Sequence, residues 1–143
     1  MNRRAAHLST GALLAVGAAS AATDPSHHHQ GGAHPWQAVL DTAGICIEKG
    51  EVCLTHCIML MGEGDKTMAA CASSVREMLA SCRALITLAG AESKFAPKLA
   101  ALCVDVCKAC EAECKKHADK HKACKECMES CTECAKACKA KVA

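Results

Sequence analysis

With 143 residues the chain is long enough for one domain with a modest core, and Trp36 and Phe95 are its only Trp or Phe residues, with no Tyr at all. Its 17 basic residues against 15 acidic ones leave no charge excess that would draw it to nucleic acid or to an anionic membrane surface. The interior must therefore be filled by cysteine, alanine, leucine, valine and methionine, and the fourteen cysteines are the outstanding resource.

In chain order, residues 1–21 read as a signal peptide. Arg3 and Arg4 open a basic region, Leu13 to Ala19 is a weakly apolar run too short for a membrane span, and Ala19-Ser20-Ala21 has the form of an A-x-A cleavage site. The paired arginines point to twin-arginine export into a bacterial periplasm, a route for proteins that are already folded, although Ala6 stands where that motif usually carries Phe. Loss of Arg3 and Arg4 makes the mature chain formally neutral. Residues 22–35 form a polar linker whose His27, His28, His29 and His34 are potential metal ligands, though such runs are more often only disordered.

Residues 36–143 carry the pattern of four helices. Pro35 suits the first turn of a helix that runs through Met61 and stops at Gly62-Glu63-Gly64. Asp65 is placed to cap a second helix ending at Gly90. Ser93 caps a third, with Pro97 in its first turn and its end near Ala118, and Asp119 caps a fourth that reaches about Lys141. Short connections between long helices predict an all-α, antiparallel, up-down-up-down four-helix bundle.

The cysteines mark the seam of that bundle. At about 100° per residue, Cys103, Cys107, Cys110 and Cys114 fall within roughly 60° of one another, and Cys124, Cys127, Cys131, Cys134 and Cys138 within roughly 80°. Cys46, Cys53 and Cys57 share roughly 40°, and Cys71 and Cys82 roughly 20°. The first helix is also apolar off its seam, at Ile45, Ile47, Val52, Leu54 and Ile58, so it needs a second burial surface, most simply a homo-oligomer.

A short, exported, cysteine-rich chain is ordinarily a disulfide scaffold. The spacing argues against that here. Neighbours at i and i+3 or i+4 have Cβ atoms about 5–6 Å apart, beyond the roughly 3.5–4.5 Å a disulfide wants. Disulfide scaffolds are also poor in helix, whereas every cysteine here falls inside one. Two thiolates sharing a soft cation need sulfurs some 4–5 Å apart, which suits this spacing. Thiolates select Cu(I), Zn or iron–sulfur clusters. No loop-borne iron–sulfur run is present, and the knuckle turns usual for zinc are missing, which leaves zinc as the lesser option. Fourteen buried thiolates must also be neutralised. If each bridges two ions and each Cu(I) takes two thiolates, about one Cu(I) per cysteine cancels the charge. Without metal, neutral thiols pack as small hydrophobes.

The run C-x3-C-x2-C-x3-C from Cys103, followed by C-x2-C-x3-C-x2-C-x3-C from Cys124, resembles the bacterial copper storage proteins over residues 36–141. The resemblance implies a four-helix bundle that stores many Cu(I) ions, with all fourteen cysteines as ligands. The leader makes the chain look like the exported branch of that family, which implies a homotetramer and copper supply to exported cuproenzymes such as particulate methane monooxygenase. The remaining readings are a zinc- or copper-buffering detoxifier and a redox enzyme built on Cys124-x2-Cys127 or Cys131-x2-Cys134. In the second, only Cys124 comes near a helix N-terminus and no thioredoxin-like βαβ pattern surrounds it, so no enzyme activity is expected.

Antiparallel connectivity gathers His56, Met61, Met68, His117 and His121 at one end of the bundle, on or beside the cysteine stripe. Imidazole and thioether both bind copper without burying a charge, so this end reads as the port for Cu(I). Trp36, Val39, Leu85, Ile86, Phe95 and Leu99 are expected to plug the other end. Met78, in mid-bundle, reads as core filler, and Met59 as surface or interface.

Overall fold

A computed structural model describes residues 34–142, so the proposed leader and His27, His28 and His29 of the linker lie outside the described residues. Helix α1 spans Gln37–Gly62, α2 Ala69–Gly90, α3 Ala96–Lys115 and α4 Lys122–Val142, with a short 3-10 turn at Lys66–Met68 ahead of α2. Among the described residues every regular element is helical. Each helix lies beside its sequence neighbours, and α4 closes the ring against α1, so the four seams face a common centre.

The starts of the helices depart from simple capping in three places. Asp65 accepts from the Thr67 amide at 2.9 Å, but the turn it caps is the 3-10 segment, and α2 proper begins only at Ala69. Gly64, at φ +101, makes the reversal before it, a left-handed conformation that L side chains rarely adopt. Ser93 stands one turn ahead of α3 and does not cap it: its hydroxyl accepts from the amide of Phe95, the N-cap residue, at 3.3 Å, and Pro97 sits in the first turn. That helix ends at Lys115 rather than Ala118, because residues 116–120 turn back on themselves, with Lys120 and His121 both donating to the His117 carbonyl. Asp119 therefore lies inside the turn and does not cap α4. The backbone carbonyl that opens that helix's ladder is His121, which accepts from Lys125 at 3.1 Å.

The wholly buried positions of the helices, together with Gly50, follow a strict alternation of three and four residues. They are Val39, Ala43, Cys46, Gly50, Cys53 and Cys57 on α1, and Cys71, Val75, Met78, Cys82, Leu85 and Ala89 on α2. On α3 they are Ala96, Ala100, Cys103, Cys107, Cys110 and Cys114, and on α4 Cys124, Cys127, Cys131, Cys134 and Cys138. This is the spacing of a coiled-coil seam, and all fourteen cysteines are wholly buried on it.

The end remote from the His/Met cluster is closed by Val39, Leu85 and small alanines, with Trp36, Ile86 and Leu99 partly buried against them. Phe95 is not part of that plug. It is 54% exposed because the seam position is its neighbour Ala96, which turns the ring about 100° away, under the ammonium of Lys94. On α1, Ile47 and Leu54 lean on the core, and the surplus apolar surface is Ile45, Val52, Ile58 and Met59, each more than half exposed. Ile45, Val52 and Met59 recur every seven residues. Ion pairs across the helices (Arg83 with Glu51, and Lys49 with Glu126 at 3.5 Å) are solvent-facing and contribute little.

Gly50 is the one seam position on α1 with no side chain between two cysteines. A Cβ there would stand 2.5 Å from Met78 Cε and 2.9 Å from Leu79 Cδ2, so α1 and α2 approach closely at this point. Gly50→Ala should lower the stability of the metal-free protein by about 1–3 kcal/mol through overpacking, less up to about 1 kcal/mol regained in helix propensity. A chemical denaturation midpoint no lower than that of the unsubstituted protein would show that the contact is slack.

Candidate metal centre

Because the seams converge, cysteines far apart in the chain meet as layers. Cys46, Cys82, Cys107 and Cys134, one from each helix, have sulfurs all within 4.8 Å of one another. A second set of four, Cys53, Cys57, Cys71 and Cys124, lies toward the His/Met end. Two triads join the sets: Cys53 with Cys114 and Cys127, and Cys110 with Cys127 and Cys131. Cys46 and Cys131, at 3.7 Å, complete the connection, so the sulfurs form one continuous column along the axis.

The shortest separations are between helices: 3.6 Å for Cys71–Cys114, 3.8 Å for Cys53–Cys124, and 3.9 and 4.0 Å from Cys82 to Cys107 and Cys134. Within a helix, Cys110–Cys114 is 4.0 Å. All fourteen are free thiols. Three sulfurs around an ion at about 2.3 Å stand roughly 4 Å apart, so these spacings need little adjustment to hold a small soft cation. Cys103 and Cys138 fall outside the four tight sets. They are buried beyond the first layer, Cys103 facing Cys82 and Cys138 facing Cys134.

The thiols hydrogen-bond to one another, and the shared protons divide them into two kinds. Contacts with Cys103, Cys107 and Cys134 hold the proton on Cys82, and those with Cys114 and Cys124 hold it on Cys53, so both thiols are pushed above their ordinary value and burial adds to the effect. Donation from Cys107 and Cys138 lowers Cys134 to about 5, and that from Cys110 first lowers Cys114 to about 6. A metal ion must displace the protons that the first kind retain at neutral pH, so loading releases acid and acid opposes loading.

At the mouth, His56 and His121 touch, Nε2 to Nδ1 at 3.0 Å, and the His117 ring centroid lies 6.5 Å from that of His121. The C-terminal part of α1 and the start of α4 thus meet where antiparallel order requires. These three imidazoles and Met61 are partly exposed, whereas Met68 is wholly buried. His34 is separate from them: its ring accepts from the Trp36 amide at 3.2 Å and lies 3.8 Å from Glu92. Met78 is wholly buried in the core, as expected of a core residue. Its sulfur accepts from the Cys46 thiol at 3.3 Å in the middle of the column, which its place on the seam alone did not reveal.

Cys53 and Cys127 each belong to two of the tight sets, and Cys103 and Cys138 to none. Replacing the first pair by serine should therefore cost more bound metal per chain than replacing the second. Metal analysis after anaerobic gel filtration would expose equal losses if the sets have no functional meaning.

Comparisons with known proteins converge. The family model described as copper storage protein matches residues 33–143. The cysteine-rich protein YhjQ of Bacillus subtilis (strain 168) is 29% identical over 107 residues, covering 75% of this chain and 95% of that protein. Among solved structures, apo copper storage protein 3 from Bacillus subtilis superposes with a TM-score of 0.66 at 28% identity, over 75% of this chain and 98% of that one. The Cu(I)-bound copper storage protein BsCsp3 gives a TM-score of 0.67 at 27% identity, over 75% and 97%.

Proposed function

This chain belongs to the copper storage protein family, and from that premise we propose that it stores Cu(I) along the sulfur column, with Cys46, Cys53, Cys57, Cys71, Cys82, Cys103, Cys107, Cys110, Cys114, Cys124, Cys127, Cys131, Cys134 and Cys138 as ligands. The observation that carries the reading is the joining of buried sulfurs from all four helices into sets whose members lie within 4.8 Å. Buried thiolates need countercharge, and Cu(I) shared between thiolates supplies it at about one ion per cysteine. The similar BsCsp3 is a Cu(I)-bound protein, which favours copper over zinc as the cargo.

His56, Met61, Met68, His117 and His121 form the port in this proposal. Imidazole and thioether donors can pass a soft ion inward without carrying a charge into the core. The contact between His56 and His121 and the partial exposure of His117 and Met61 support it. The assembly is a homotetramer. Ile45, Val52 and Met59, exposed at seven-residue intervals on α1, are the surface that a second copy would cover. Residues 1–21 serve as a twin-arginine signal and 22–35 as a linker ahead of the bundle, so that the store works in the periplasm and supplies exported cuproenzymes, particulate methane monooxygenase among the candidates. Among the described residues no helix is long and apolar enough to cross a membrane.

Anaerobic titration of the reduced protein with Cu(I), with zinc in parallel, tests the reading. Uptake should continue to about one ion per cysteine with helicity unchanged, and zinc should not compete. Saturation after a few ions, or equal uptake of zinc, would replace copper storage by a general thiolate buffer.

The port makes a separate claim about rate. Substituting Met61 and Met68 by leucine and His117 by alanine together should slow Cu(I) loading while leaving final capacity nearly intact. Stopped-flow loading as fast as in the unsubstituted protein would remove the port from the proposal.

A further inference from the structure

The seam register exposes an irregularity in the sulfur column. Helix α3 carries cysteine at four successive seam positions, Cys103, Cys107, Cys110 and Cys114. Helices α1 and α2 have the same three-and-four spacing but break it: Cys46, Gly50, Cys53 and Cys57 on α1, and Cys71, Val75, Met78 and Cys82 on α2. Two of these breaks lie against each other. The methyl group of Met78 occupies the space a side chain at Gly50 would fill, with Cε only 2.5 Å from the Cβ position. With its methyl so placed, Met78 presents its sulfur to the Cys46 thiol at 3.3 Å.

We propose that Met78 is a copper ligand: its Sδ gives a Cu(I) ion held by the Cys46 thiolate a neutral thioether donor in the middle of the bundle, and Gly50 seats it. The inference rests on the Cu(I) storage reading. Thioether and thiolate are both soft donors, so Cu(I) is the ion this pair suits. The pair differs from a thiolate pair in charge. One thiolate with a neutral thioether is balanced by a single Cu(I), and no further buried negative charge is needed at that point. Cys46 also faces Cys131 at 3.7 Å and belongs to the layer with Cys82, Cys107 and Cys134. Met78 thus adds a donor where those neighbours meet, and a sulfur column that α1 leaves open at Gly50 is closed from α2. A leucine would fill the same volume and make the same apolar contacts, so burial alone does not require sulfur here.

The test labels the methionines with selenium. The full chain carrying Met59→Leu, Met61→Leu, Met68→Leu and Met128→Leu keeps selenomethionine only at Met1 and Met78. It is loaded anaerobically with Cu(I) and compared, by selenium-edge X-ray absorption, with the same protein carrying Met78→Leu as well. Scattering from copper at selenium in the first protein, lost in the second, is the expected result. Copper-loaded protein with no copper neighbour at selenium overturns the assignment while leaving storage intact, as does scattering that persists without Met78. Failure of both the unsubstituted protein and the first protein to take up Cu(I) at equilibrium, with helicity kept, overturns the storage reading and this inference with it.

Discussion

The structure depends on the condition under which sulfur can be buried. A neutral thiol behaves in a core as a small apolar group, whereas an isolated thiolate is costly there. Fourteen wholly buried cysteines are compatible with a stable interior only if they stay protonated or share a cation. Both states are accommodated by one arrangement. Sulfurs about 3.6–4.0 Å apart across the helices make weak S–H contacts without metal, and stand close to the spacing that a small soft ion would impose. Folding therefore need not wait for the metal, and binding need not remodel the backbone.

Long helices with an unbroken seam suit this task. A loop-borne site holds one ion with a few ligands, but a bundle repeats its ligand positions every three or four residues and so builds a column. The cysteines shared between sets, Cys53 and Cys127, make that column continuous. The rest of the core is arranged around it. Alanines and Val39 and Leu85 close one end, and the other is edged by partly exposed imidazoles. The asymmetry gives the column a direction.

The division of thiols into proton-holding and proton-yielding members has a chemical consequence. Cys134 and Cys114 yield their protons to an arriving ion more readily than Cys82 and Cys53, which their neighbours and burial hold protonated. Metal content and proton content are linked along the whole column.

Much of this was written in the local pattern. The helical period of the cysteines determined the all-α bundle and its sulfur-lined core, because side chains at i, i+3 and i+4 must share a face whatever they pack against. Chain order then brought His56 and His121 to one end. Helix starts were less legible: Asp119 has the right chemistry for a cap, yet His117 and His121 take up the turn, and Phe95 falls off the seam by a single residue. Only the tertiary structure decided which sulfurs meet, since the sets joining Cys46 to Cys134 and Cys53 to Cys127 depend on the axial stagger of four helices. It also decided that Gly50 and Met78 face each other, a match between helices that no periodicity within one helix encodes.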